Sequence, residues 1–95
     1  MFGGLNIAGT STVSLNNCLI RNNVDSGIET HDSSCNLTLW HCTIVANGDR
    51  GFRQRAGTST ITNSIIANNS ADGLRRDSGT MTHTYNLVYG NSDNY

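Results

Sequence analysis

Proline is absent from this chain of 95 residues, and so is lysine. Without proline no turn is fixed by a ring, so tight turns must come from Gly, Asn, Asp and Ser. Glutamate appears once, as Glu29, and the other strong helix formers are sparse, which excludes long amphipathic helices. Charge of either sign is also scarce. Six arginines against seven acids leave a net charge of -1, which gives no general attraction for nucleic acid or an anionic membrane. No run approaches the roughly 18 apolar residues a membrane span needs, so no membrane insertion is expected. The opening "MFGGLNIAGTSTVS" has no basic region leading into an apolar core, and so does not read as a secretory leader. Cysteine occurs three times without C-x-x-C spacing, so neither a disulfide framework nor a zinc site is indicated.

What is present is 13 Asn, 11 Thr, 10 Ser and 10 Gly, threaded by regularly placed Ile, Leu and Val. The regular apolar residues and the small net charge argue against disorder, and the length suits a single domain over residues 1–95. The stretch "AGTST" occurs at Ala8–Thr12 and again at Ala56–Thr60, 48 residues apart. Cutting before a recurrent glycine gives segments over 4–26, 27–50, 51–72 and 73–95, of 22–24 residues each, so the AGTST spacing is two periods. Repeats of this size that cannot bury a face alone point to a solenoid.

The columns choose among solenoids. An apolar residue follows each glycine: Leu5, Ile28, Phe52, Leu74. Further on, Leu15, Leu39, Ile61 and His83 align, then Cys18, Cys42, Ser64 and Asn86, then Ile20, Ile44, Ile66 and Val88. Apolar and polar residues alternate over short runs, which is the strand period. Three short strands per repeat, separated by Gly/Asn/Asp/Ser turns, predict an all-β fold: a right-handed parallel β-helix of about four coils, stacked at ~4.8 Å. Asn23, Asn47, Asn69 and Asn91 close each block and are predicted to form an asparagine ladder, with asparagine taking left-handed backbone at a corner. Both end coils would present strand edges and uncovered apolar side chains. Met1 and Phe2 are placed to cover the first coil, and Tyr85, Tyr89 and Tyr95 the last. Self-association through coil ends or lateral faces is the expected remedy, with membership of a longer solenoid as the alternative.

The segments "TITNSIIANNSADG" and "YNLVYGN" resemble the closing repeats of bacterial right-handed β-helix surface proteins with a choice-of-anchor architecture. "GGLNIAGTSTVSLNNCLIRNN" is similar to repeats of the same proteins and of polymorphic outer-membrane adhesins. The resemblance spans essentially the whole chain. It implies the fold and an extracellular setting rather than a chemistry.

Two outward columns carry the charge: Asn6, Glu29, Arg53, Arg75, and then Ala8, His31, Arg55, Asp77. They set Glu29 beside Arg53 and Arg55 beside Asp77. One reading is a polar groove in which Glu29, His31, Arg53, Arg55, Arg75 and Asp77 grip an acidic polysaccharide, its arginines bidentate on carboxylates. The plainer reading is a solvated face of weak ion pairs. A lyase or hydrolase would need clustered acids, and Glu29 and Asp77 are the two that project there. Asp25, Asp49, Asp72 and Asp93 follow the ladder along one edge, where calcium is the one cofactor to weigh; Asp before Gly is also ordinary turn chemistry. Cys18 and Cys42 stack within disulfide reach but read as small buried hydrophobes, whereas Cys35 falls at a corner and reads as exposed. His31, His41 and His83 lie in different columns, so no metal site or Ser-His-Asp triad is expected and no catalytic residue is assigned. Trp40 and Tyr85 read as outward aromatics at an oligomer contact or a sugar platform. These features favour a non-catalytic structural or binding module, with glycan or a cell-surface partner as ligand; a remnant of a polysaccharide lyase or hydrolase is the alternative.

Overall fold

The structure, a computed structural model, describes residues 3–95; the cover expected from Met1 and Phe2 lies outside the described residues. Each repeat is one coil of three strands. The first coil holds β1 (Leu5–Ile7), β2 (Thr12–Asn16) and β3 (Leu19–Arg21), and the second β4 (Ile28–Thr30), β5 (Asn36–Trp40) and β6 (Thr43–Val45). The third holds β7 (Phe52–Gln54), β8 (Thr58–Thr62) and β9 (Ile65–Ala67), and the fourth β10 (Leu74–Arg76), β11 (Thr80–Thr84) and β12 (Leu87–Tyr89). Equivalent strands pair in parallel, giving three four-stranded sheets in the orders β1-β4-β7-β10, β2-β5-β8-β11 and β3-β6-β9-β12. The fold is therefore the all-β parallel β-helix that the columns predict.

Period-2 alternation builds the core. Leu5, Ile28, Phe52 and Leu74 stack in register, as do Leu15, Leu39, Ile61 and His83 and Ile20, Ile44, Ile66 and Val88. Ile28, Phe52, Leu39, Ile61, Ile44 and Ile66 in the two middle coils are fully buried, whereas Leu5, Leu15, Ile20 and Val88 in the end coils are only partly covered. One expectation is corrected. Thr12 pairs through Asn36 with Thr58, so the two AGTST copies are slipped by two residues and their identity is not a structural equivalence. A slip of two keeps every side chain on its own face, which is why the repeat still reads correctly.

The corners explain the polar columns. Asn23 donates from its backbone N (3.2 Å) and Nδ2 (2.9 Å) to Oδ1 of Asn47. Asn47 does the same to Asn69, and Asn69 to Asn91, over 2.8–3.0 Å. The last rung, Asn91, donates to Oδ1 of Asn94, which stands in for a fifth coil. The ladder asparagines do not themselves take the left-handed backbone. The residue before each does, as Asn22, Ala46, Asn68 and Gly90, with φ of 56–70°. A second left-handed column, Asn17, His41, Asn63 and Tyr85, precedes the cysteine-bearing column.

Ala46 is the misfit, because alanine at positive φ costs about 1 kcal/mol that asparagine largely avoids. Ala46 is exposed and its neighbours in the column are asparagines. Ala46→Asn is accordingly expected to stabilise the fold by about 0.5–1 kcal/mol and to raise the thermal midpoint by about 2–6 °C, as calorimetry would record.

Candidate functional site: the charged face

The sheet of β1, β4, β7 and β10 carries the two charged columns. Asn6, Glu29, Arg53 and Arg75 are in register on its outer side. Backbone bonds from His31 N to Ile7 O, Arg55 N to Thr30 O and Asp77 N to Gln54 O place the second column beside the first. All six predicted site residues therefore lie on one face. Outward alternation from the inward Ile28, Phe52 and Leu74 is what puts them there.

The pairing differs from the expectation. Glu29 does not pair with Arg53, nor Arg55 with Asp77. Arg55 Nε reaches back diagonally to Oε1 of Glu29 at 2.9 Å, and Arg53 Nε reaches forward to Oδ2 of Asp77 at 2.9 Å. A side chain longer than the ~4.8 Å coil spacing gains better geometry on the diagonal than from its direct neighbour. Asp77 also accepts from Arg75 Nε at 2.9 Å, and Arg75 continues to Asp72 at 3.5 Å. Arg50 then joins Asp72 at 3.1 Å to Asp49 at 2.8 Å. The result is an alternating chain, Arg53–Asp77–Arg75–Asp72–Arg50–Asp49, with Arg55–Glu29 beside it. Glu29 is buried rather than solvated, at 6% exposure. His31 contributes Nε2 to Oδ1 of Asn6 at 3.3 Å.

Chemically this face is self-satisfied. Each of its carboxylates is held by an arginine. For Asp77 the pairing holds the carboxyl below the usual range and makes it a poor base, chiefly through the Arg75 hydrogen bond, with a further bond and charge from Arg53 acting against partial burial. Arg75 is raised in turn, again chiefly by Asp77. A depressed folded-state pKa contributes stability above the unfolded value near 3.9, lost as pH falls through the folded value. Asp77→Asn should therefore flatten the acid limb of thermal stability as pH falls below about 4, while changing the midpoint little at pH 7, where exposed pairs are worth about 0–1 kcal/mol. Melting curves across that range check it.

The acidic edge is also corrected. Backbone bonds from Gly4, Gly27, Gly51 and Gly73 to the carbonyls of Ser26, Arg50, Asp72 and Asp93 put those four acceptors in one column. Asp25 and Asp49 belong to a neighbouring column, so the four aspartates do not line one edge, and Arg50 stands among them. Among the described residues no group of three His, Cys, Asp or Glu is arranged to hold a metal ion. Asp49 and Asp72 are engaged by Arg50, which does not suit a calcium site.

Cys18, Cys42, Ser64 and Asn86 stack as expected, with Ser64 Oγ accepting from Cys42 N at 3.1 Å and Asn86 Oδ1 from Ser64 N at 2.9 Å. All three cysteines are free thiols. Cys35 is buried, not exposed, because its side chain turns in against the carbonyls of Ile7 and Gly9. Trp40 and Tyr85 do point outward; Trp40 stacks on His41 with ring centroids 4.2 Å apart.

Gln54 is the residue the sequence reading passed over. It is fully buried, donates to the carbonyls of Gly57, Ser78 and Thr80, and accepts from Ser59 Oγ, so that it ties two turns together. The alternation Phe52-Arg53-Gln54 already marks it as inward, and it is the chain's single glutamine.

The family model described as "Right handed beta helix region" matches residues 2–93. The chain belongs to that family, and the winding is right-handed. No curated protein and no solved structure matches the chain.

Proposed function

We propose that the chain is a non-catalytic structural and binding module, set outside the cell, that associates with a second copy through its coil ends. The observation that carries this is that, among the described residues, core cover thins toward both ends: Leu5, Leu15, Cys18 and Ile20 at one and Met81 and Val88 at the other are only partly buried. At the first coil Leu5, Leu15, Cys18 and Ile20 line an open hollow of about 410 Å³. At the last, Leu74, Met81, His83 and Tyr95 line another of about 370 Å³. The molecule measures 31 × 29 × 21 Å, and four coils at ~4.8 Å plus their side chains account for the shortest dimension. The coil ends are then its broadest faces, edged by unpaired strands. Ligation by the charged face is less favoured, since a glycan carboxylate would have to displace Glu29, Asp77 or Asp72 from the arginines. An origin in a polysaccharide lyase or hydrolase is weakened by the same pairing.

A concentration series tests the proposal. Association requires the thermal midpoint to rise with protein concentration. Ile20→Arg at the first coil end should abolish that rise. Leu87→Arg, on the exposed outer column of β3, β6, β9 and β12, should leave it intact. A midpoint independent of concentration would refute association, and loss of the dependence in Leu87→Arg alone would move the contact to the lateral face.

A further inference from the structure

The sheet of β2, β5, β8 and β11 has an outer face unlike the other two. Its residues stand in three registered columns: Thr12, Asn36, Thr58, Thr80; then Ser14, Thr38, Thr60, Thr82; then Asn16, Trp40, Thr62, Thr84. Eight of these twelve positions are threonine and none is charged. The alternation along each strand turns these columns outward, while Leu37, Leu39 and Ile61 turn in. Among the described residues, none of the twelve side chains enters a hydrogen bond with the protein, whereas every arginine but Arg21 does so on the other faces. The hydroxyls are left for something outside.

The spacing says what that is. Strands lie ~4.8 Å apart, and same-face residues along a strand are ~6.6 Å apart. The face is thus a two-dimensional grid of hydroxyl and methyl groups. Threonine is stiff at χ1, so each methyl and hydroxyl keeps its direction. Sheets held by side-chain ladders are the kind that stay flat, and here the bonds from Cys42 N to Ser64 Oγ and from Ser64 N to Asn86 Oδ1 run along the corner that this sheet shares with β3, β6, β9 and β12. An anionic polymer would call for cations that this face lacks. A protein partner would call for an apolar centre with large anchors, and Trp40 is the one large side chain, at the border of the grid. Uncharged ligands that repeat in two directions are ordered water and crystalline polysaccharide; a saccharide surface would call for a row of aromatic rings to stack on, and this face has Trp40 alone, which favours water. The repeat distances approach those on a prism face of hexagonal ice.

We propose that this threonine grid is an ice-binding face, densest on β8 and β11, where Thr58, Thr60, Thr62, Thr80, Thr82 and Thr84 are contiguous. Methyl groups would order the adjoining water and the hydroxyls anchor it to the lattice. This proposal is independent of association through the coil ends. It is tested by growing ice slowly from a solution of the full chain and measuring the protein fraction taken into the ice, alongside crystal shape under a cooling microscope. The wild type should enter the ice several-fold above an inert protein of similar size and facet the crystals. Thr60→Arg and Thr82→Arg, on exposed strand positions, should fall to the inert level with circular dichroism unchanged; Leu87→Arg should behave as wild type. Exclusion of the wild type from ice would overturn the proposal, as would undiminished uptake of both arginine variants. Loss of oligomer mass in Thr60→Arg, or binding to crystalline polysaccharide without uptake into ice, would assign the face to another occupant and equally overturn it.

Discussion

Asn69→Ala is expected to remove about 3–6 kcal/mol of stability and so to leave the protein close to unfolded. Asn69 Oδ1 accepts from both Asn47 N and Asn47 Nδ2, while Asn69 Nδ2 donates to Asn91 Oδ1 and to Ile44 O. Asn47 and Asn69 are both buried, so truncation strands several polar groups where water does not reach them, at about 1–3 kcal/mol each. Asn69→Asp separates this from simple loss of volume. It keeps Oδ1 but sets a carboxylate oxygen against Asn91 Oδ1 and Ile44 O. That raises the folded-state pKa of the new carboxyl above its unfolded value near 3.9, so its protonation favours the folded form. The variant should therefore recover stability as pH falls from 7 to about 4.5, a trend urea titrations at the two values would record. Asn23→Ala, at the half-buried open end of the ladder, should cost only about 1–2 kcal/mol. Equal costs at Asn23 and Asn69 would contradict the ladder as the source of the effect.

Gly51→Ala should cost about 3 kcal/mol, through crowding rather than conformation. A Cβ at Gly51 would lie 2.7 Å from Gly73 O and Ile66 Cγ2, and 2.8 Å from Asn69 Nδ2. Two of these neighbours are backbone or locked core, and the third is the ladder amide itself. The recurrent glycine is thus the floor on which the asparagine column rests, and the two columns are one device. Gly9→Ala provides the contrast. Nothing lies within 4 Å of its Cβ, and the strain of a φ of +70° should limit the loss to about 1 kcal/mol. Chemical denaturation of the two variants side by side gives the ratio.

These two columns also show what was legible in the residues. The Leu5, Leu15, Ile20 and Asn23 columns could be read because stacking at a fixed period repeats the same demand on each coil. The outward placement of Glu29, Arg53, Arg55, Arg75 and Asp77 followed from period 2 alone. The pairing among them did not, because an arginine reaches two coil neighbours equally well and its choice rests on rotamers. Cys35 was misplaced because the corner before β5 in the longest repeat is longer than its counterparts, which hid that Cys35 stands in the column of Ser11 and Gly57. The left-handed residues were missed by one position, since Asn22-Asn23 and Asn68-Asn69 are doublets and composition alone does not say which member turns. Ala46 before Asn47 held the answer: the column that tolerates an alanine is not the ladder.

Association through the coil ends is the central claim of the proposed function, and sedimentation equilibrium on the full chain tests it most directly. A mass of two or more chains at micromolar concentration, falling to one chain in Ile20→Arg, is the expected result. A single-chain mass that persists to millimolar concentration would contradict it.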